Sequence, residues 1–254
     1  MTRPVLELRG LHKAFGALVV TDGIDLDLYP AECHALIGPN GAGKTTLINQ
    51  ISGALQPDAG RISLEGRDVT HLSVAERAVA GLGRSFQITS ILPDFSVLEN
   101  VALSAQRRDG SSFRFFGRAA QETRLNEAAI EILAQLGLET RADVVAGALS
   151  HGEKRLLELA IAIAGQPHIL LLDEPMAGMG RAESETLTET LLEIKKRYPI
   201  LLIEHDMEAV FRLADRVSVL VAGAIVSSGT PDEVRADPQA RAAYLGEETG
   251  EDAA

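Results

Sequence analysis

The sequence predicts an α/β fold built on a parallel sheet, and three observations carry that prediction. Short apolar runs alternate along the chain with stretches of helical period, the order that puts helices on both faces of a mostly parallel sheet. One run, His34 to Ile37, leads straight into a glycine-rich loop that opens a helix. Another, Ile169 to Leu172, ends abruptly in two carboxylates, Asp173 and Glu174.

Taken in order, Val5 to Arg9 alternates like a half-buried strand, and Ile24 to Leu28 does the same before Tyr29-Pro30 turns the chain. His34 to Ile37 is a short buried run, and the helix after the loop places Leu47 and Ile51 on one face. Arg61 to Glu65 reads as a strand ending at Gly66. Between about Ile91 and Arg155 strand signals are few, which suggests a separate helical lobe; Ile130, Leu133 and Leu136 give it one helix from Asn126 to Leu138. Leu156, Leu159, Ala160 and Ile163 continue a second helical face. A charged helix from Ala182 to Arg197 stops before Pro199. Ile200 to Ile203 is a buried strand, Met207 to Ala214 a helix, and Val217 to Val221 with Ala224 to Val226 a hairpin about Ala222-Gly223. Thr230-Pro231-Asp232-Glu233 is a capping box with proline at the first helical position. The acidic end, Glu247 to Ala254, is expected to fray.

Bulk properties bound the function. At 254 residues, with 46% hydrophobic and 24% charged residues, the chain can bury a large core. A net charge of −12 argues against a duplex nucleic-acid partner, which selects a basic face. The single cysteine, Cys33, cannot form an internal disulfide and reads as a small buried hydrophobe in a reducing compartment. No signal peptide is visible, and no window reaches the roughly 20 apolar residues that span a bilayer. The expectation is a cytosolic protein whose membrane role, if any, works through partners.

The loop Gly38-Pro39-Asn40-Gly41-Ala42-Gly43-Lys44-Thr45-Thr46 matches G-x-x-x-x-G-K-[ST] in full and sits between a strand and a helix, as that motif requires. Its glycines let backbone N–H groups face phosphate oxygens, and the helix N-terminus adds positive potential. Lys44 would neutralise the β- and γ-phosphates and Thr45 would hold Mg²⁺. The motif means nucleotide binding; alone it does not separate a kinase, a GTPase, a motor or a transporter subunit. Asp173, at the end of a buried parallel strand, fits a carboxylate serving the Mg²⁺, and Glu174 is placed to polarise a water toward the γ-phosphate. Ser150-His151-Gly152-Glu153 is a capping box in its own right. It is also a helix N-terminus with glycine in its first turn, suited to an anion.

The order of these elements resembles the ATP-binding subunit of an ABC transporter over nearly the whole chain: the phosphate loop, Gln87 after "GLGRSF", "LSHGE" at 149–153, "ILLLDEP" at 169–175 and His205 in "LLIEHD". The resemblance implies a P-loop NTPase (RecA-like) core over 1–88 and 157–246 with an N-terminal antiparallel β subdomain. It also implies an inserted helical lobe over 89–156 that carries the signature turn, and a flexible tail over 247–254. It implies a head-to-tail dimer with a second ATP-binding subunit, identical or not, in which each ATP lies between one protomer's loop and the other's Ser150 and Gly152. Two transmembrane permease subunits, and indirectly a periplasmic solute-binding protein, complete the assembly at the cytoplasmic face of the inner membrane. By the same likeness Phe15 in "KAFGA" would stack on adenine, Gln87 would sense Mg²⁺ and the membrane partner, and His205 would contact the γ-phosphate and steady Glu174. "LLDEPMAGM", "IEHDMEAVFRLADRVSVL" and the ending "YLGE" resemble subunits serving uptake of branched-chain amino acids, urea, amides or organic acids.

Three departures stand out: His151 replaces a common Gly, Glu153 a frequent Gln, and Gly180 an Asp found in many relatives. None removes Lys44, Asp173 or Glu174, so an active ATPase is expected. Ile88 to Val101, with Pro93, Phe95 and Val97, is the candidate segment for docking a membrane subunit. An export ATPase of the lipopolysaccharide type and a non-transport ABC ATPase remain alternatives. A simple P-loop kinase would leave "LSHGE" and His205 unexplained.

Overall fold

The computed structural model describes residues 3–84, 91–106 and 123–242. The chain divides into two compact units, one of Met1–Leu82, His168–Glu174 and Leu191–Ala254, the other of Gly83–Pro167 and Pro175–Thr190.

The first unit opens with an antiparallel sheet. Strands β1 (Leu6–Phe15) and β2 (Leu18–Leu28) form a hairpin, and β4 (Ala59–Leu64) and β5 (Arg67–Asp68) complete the order β2-β1-β4-β5. β1 runs well past Arg9, where the sequence alternation stops. Gly10 takes a φ of 58°, and the register with β2 slips between Leu8 and Leu11 and again at Lys13. A bulged strand loses its period of two although it stays paired.

The main sheet contains β3 (Cys33–Ile37), β6 (Leu82–Arg84), β7 (Ile169–Asp173), β8 (Ile200–Ile203), β9 (Arg216–Val221) and β10 (Ala224–Gly229), in the order β10-β9-β3-β8-β7-β6. β3 pairs in parallel with β8 and β9, and β7 in parallel with β8, whereas β9 and β10 form the antiparallel hairpin read from the sequence. β3, β7 and β8 are buried along their whole length, the mark of a sheet covered on both faces. Alternation divides their side chains: Leu36, Ile169, Leu171, Leu201 and Ile203 join Leu47, Ile48 and Ile51 of helix α1 (Lys44–Ser52) and the antiparallel strands in one core. Ala35, Ile37, Val217 and Val219 join a second core with Met207 and Val210 of α7 (Met207–Leu213) and Val234 of α8 (Pro231–Ala236).

Two buried polar groups brace this unit. Arg77, on the short helix α2 (Val74–Val79), is fully buried, and its guanidinium donates to the carbonyls of Gln50 (2.5 Å), Ile51 (2.7 Å), Thr70 (2.6 Å) and Leu72 (3.1 Å). The first two lie in the last turn of α1, where carbonyls lack i+4 partners; Arg77 bonds that of Ile51 and shares that of Gln50 with the Gly53 N–H. Burial lowers its pKa to about 10. His34 is a buried residue of β3, its Nδ1 3.0 Å from the Asp27 carbonyl and its Nε2 2.8 Å from Ser218 Oγ, which in turn lies 2.8 Å from Ser228 Oγ. A carbonyl can only accept, so Nδ1 carries the proton and Nε2 accepts from Ser218.

Burial lowers the His34 pKa from 6.5 to about 4. The unfolded chain therefore binds a proton that the native chain refuses. The neutral ring's contribution is whole above pH 6.5 and is lost as pH falls toward about 4, by about 3 kcal/mol at the limit. Urea unfolding at a series of pH values should show this slope, and His34→Gln should remove that share of it. Cys33 is buried beside it, its thiol pushed up to about 12 by burial, so it behaves as the inert small hydrophobe its sequence setting indicated.

The second unit is helical. Helices α3 (Val97–Gln106), α4 (Thr123–Gln135) and α5 (His151–Ala164) pack pairwise, and most of α6 (Arg181–Ile194) belongs to it. Val97, Val101, Ala129, Leu133 and Leu157 are fully buried. Asn100 pins the chain ahead of α3, accepting the Leu92 N–H at 2.8 Å and donating to the carbonyls of Leu92 and Ser96. Among the described residues, no helix is long and apolar enough to cross a membrane.

Candidate functional site

The phosphate loop fills the turn between β3 and α1, and its sequence explains its path. A Cβ on Gly38 would collide with the Leu220 carbonyl of β9, and one on Gly43, at φ 106°, with the Val20 carbonyl of β2. Only glycine lets the loop lie so close to both strands. The Ala42 carbonyl accepts the Gly223 N–H at 2.9 Å, so the β9–β10 hairpin fastens the loop from behind. Helix α1 starts at Lys44 with no side chain capping it and no acidic residue in its first turn. Its open N–H groups and dipole present positive potential, which suits an anion. Lys44 Nζ folds back onto the carbonyls of Gly38 (2.5 Å) and Pro39 (3.1 Å). Its pKa is lowered by burial, against which Glu174 and Asp173 act to raise it. Asn40, Gly41 and Thr45 are exposed and Thr46 is half-buried.

Asp173 ends β7 with only 7% of its surface exposed. Glu174 follows with a φ of 48°, and its N–H donates to the Ile203 carbonyl of β8 at 2.9 Å. A non-glycine residue in the left-handed region costs about 1 kcal/mol or more. The bond of its N–H to the edge of β8 fixes its backbone there. His205 stands just beyond β8, its side chain 61% exposed. The backbone N–H groups of His205 and Asp206 point at Oε2 of the preceding residue, Glu204, at 2.9 and 3.4 Å. Sequence reasoning passed over Glu204: a carboxylate after a strand reads as a solvated end, yet Glu204 is 1% exposed. Phe15 ends β1 with 52% of its surface exposed and Lys13 Nζ 5.6 Å above its ring. It is not a core aromatic, and its hairpin also carries Val20, which packs on Gly43.

The structure thus brings the phosphate loop, Lys44, Asp173, Glu174, His205 and Phe15 into one unit. Ser150 and Gly152 belong to the other. There the capping box forms as read: Ser150 Oγ accepts the Glu153 N–H at 3.2 Å and Glu153 accepts the Ser150 N–H at 2.8 Å. The Ser150 hydroxyl also hydrogen-bonds the Glu153 carboxylate, so its proton is used within the turn. Arg141 also holds Glu153, at 2.8 Å, and these bonds, the Ser150 N–H first, lower its pKa. The carboxylate at position 153 is thereby spent on the turn itself. His151 Nε2 lies 3.2 Å from the Ala177 carbonyl, and Glu183 accepts the Gly180 N–H at 3.2 Å. The loop that lacks the familiar Asp at 180 is therefore closed by Glu183. Gln87 lies outside the described residues.

The residues fit a nucleoside triphosphate with its magnesium. The glycine cradle and uncapped helix accept phosphates. The hydroxyl of Thr45 and the carboxylate of Asp173 are oxygen donors of the type Mg²⁺ takes.

Residues 21–177, well over half the chain, match the family described as ABC transporter. Residues 224–249 match a second, described as Branched-chain amino acid ATP-binding cassette transporter. The high-affinity branched-chain amino acid transport ATP-binding protein LivG of Escherichia coli (strain K12) is 38% identical, over 97% of this chain and 100% of its own. The fructose import ATP-binding protein FrcA of Rhizobium meliloti is 37% identical over 85% and 84%. Among solved structures, the ADP conformation of MJ1267, an ATP-binding cassette of an ABC transporter, superposes with a TM-score of 0.85 at 32% identity, covering 96% of this chain and all of that one.

Proposed function

The chain belongs to the ABC transporter family of ATP-binding cassettes, and from that membership we propose that it powers uptake of branched-chain amino acids or closely related small solutes. The match of its C-terminal residues 224–249 to the branched-chain amino acid cassette family carries the solute assignment. The full-length likeness to LivG supports it.

In this reading the chain is an ATPase in which the backbone N–H groups of Gly41, Ala42 and Gly43 and the Nζ of Lys44 hold the phosphates of ATP, while the exposed ring of Phe15 stacks on adenine. Thr45 and Asp173, with Gln87, would hold Mg²⁺, which supplies neutralising charge at the phosphates. Glu174 accepts the proton of the attacking water, and its repulsion from the phosphates is offset by Lys44. His205 donates to the γ-phosphate. Ser150 and the N–H groups of the α5 turn serve the nucleotide of a second cassette, a further copy of this chain or a sister subunit. The cassette pair docks on two permease subunits at the cytoplasmic face of the membrane through the segment Ile88 to Val101; of its described residues Leu92 and Phe95 are 43% and 42% exposed, whereas Val97 is buried and can only support the segment from below. A solute-binding protein delivers the solute from the far side.

The test is reconstitution of the chain with its co-purifying membrane subunits in proteoliposomes. ATP-dependent accumulation of leucine, isoleucine or valine supports the assignment. Fructose accumulation without amino-acid uptake overturns the solute. Export from preloaded vesicles overturns the direction.

A further inference from the structure

We propose that Glu204 is a positioning residue for ATP hydrolysis, holding the imidazole of His205 so that one ring nitrogen is tied back and the other is presented at the exposed tip. The proposal rests on the reading of His205 as the γ-phosphate contact and concerns a residue to which that reading gives no part.

The geometry lies within one unit. β8 delivers Ile203, whose carbonyl accepts the Glu174 N–H, and the chain then turns. Glu204 spends its carboxylate on that turn: Oε2 accepts the N–H of His205 at 2.9 Å and lies 3.4 Å from the N–H of Asp206. Asp206 caps α7 by accepting the Ala209 N–H at 3.1 Å, so the turn is held from both ends. The same Oε2 lies 3.6 Å from His205 Nδ1, longer than a hydrogen bond but close enough for a small ring rotation to make one, and for an ion pair when the ring is protonated. The Glu204 side chain is fully buried while that of His205 is 61% exposed. A buried carboxylate is costly unless its oxygens are occupied, so a solvated strand end is a poor account of this one.

The chemistry follows from which nitrogen faces which neighbour. A carboxylate beside Nδ1 favours the ring orientation in which Nδ1–H points at it, and that leaves Nε2 at the tip. A ring donating Nε2–H to a phosphate as well carries both protons, and Glu204 then supplies the countercharge. Glutamine at this position would keep an acceptor for both backbone N–H groups but would lose the charge beside the ring.

The experiment uses the full-length chain in its assembled cassette pair. Glu204→Gln should lower kcat by about 10- to 100-fold with KM for ATP little changed, the scale on which removing a partner that orients a functional histidine acts. In a His205→Ala background the same change should have little further effect, because its target is gone. An equal loss in both backgrounds, or kcat equal to wild type, overturns the proposal. A melting temperature close to wild type for Glu204→Gln separates positioning from unfolding. Should that variant fail to fold, wild-type protein still decides: long-range ¹H–¹⁵N correlation of the ring whose signals vanish in His205→Ala, one of six histidines, should show a proton on Nδ1. A ring with Nδ1 unprotonated overturns the proposal. Absence of ATP turnover in wild type would instead sink the functional reading.

Discussion

Glu174→Gln is expected to bind ATP as tightly as wild type and to hydrolyse it about 10²- to 10⁴-fold more slowly, the share a positioned general base contributes. The substitution is nearly isosteric and keeps the backbone that places the residue: the N–H bond to Ile203 and the φ of 48° do not depend on the carboxylate. What it removes is the proton acceptor. A second effect follows from the first. With hydrolysis stalled, the triphosphate persists between two cassettes, and the variant should accumulate as an ATP-bound pair on size-exclusion chromatography. Unchanged turnover would reject Glu174 as the base.

The second large effect is expected at the α5 turn. Gly152→Asp should lower hydrolysis by about 10²- to 10³-fold, the cost of removing a preorganised donor site from a transferring phosphoryl group. A Cβ at 152 would meet Glu183 Oε1 at 2.8 Å, so that flexible side chain must swing aside and loosen its bond to the Gly180 N–H, while the helix backbone need not move. The new carboxylate would place negative charge where a partner's phosphate must sit. Binding of a fluorescent ATP analogue to the variant's own phosphate loop should remain, since that loop lies in the other unit.

The parts of the fold that were legible in the sequence are those where one force acts alone. β3, β7 and β8 are buried on both faces, so they read as continuous apolar runs, and the phosphate loop is spelled by glycines that no other residue could replace beside Leu220 and Val20. Helix α2 and strand β6 went unread because six and three residues are too short to show a period. The end of β1 was hidden by its bulge. In the candidate site, Lys44, Asp173 and Glu174 were legible because motif and position agree. Arg77 and Glu204 were not, since a charged residue in a short polar stretch looks solvated until tertiary packing buries it. Ser150 forms the cap that its spacing from Glu153 predicts, and because its hydroxyl also bonds the Glu153 carboxylate, contact with a phosphate would require that proton to turn away from the cap.

Hydrolysis, in the function proposed above, needs two cassettes closing on one triphosphate, the phosphate loop of one facing the α5 turn of the other. The measurement that tests this most directly mixes two inactive variants, Lys44→Ala and Gly152→Asp. A mixed pair has one ruined site and one site built wholly from intact parts. The prediction is that ATPase activity, at least about 10²-fold below wild type in each variant alone, reappears on mixing and rises with the fraction of mixed pairs. A mixture that pairs yet stays as inactive as its components would contradict the account.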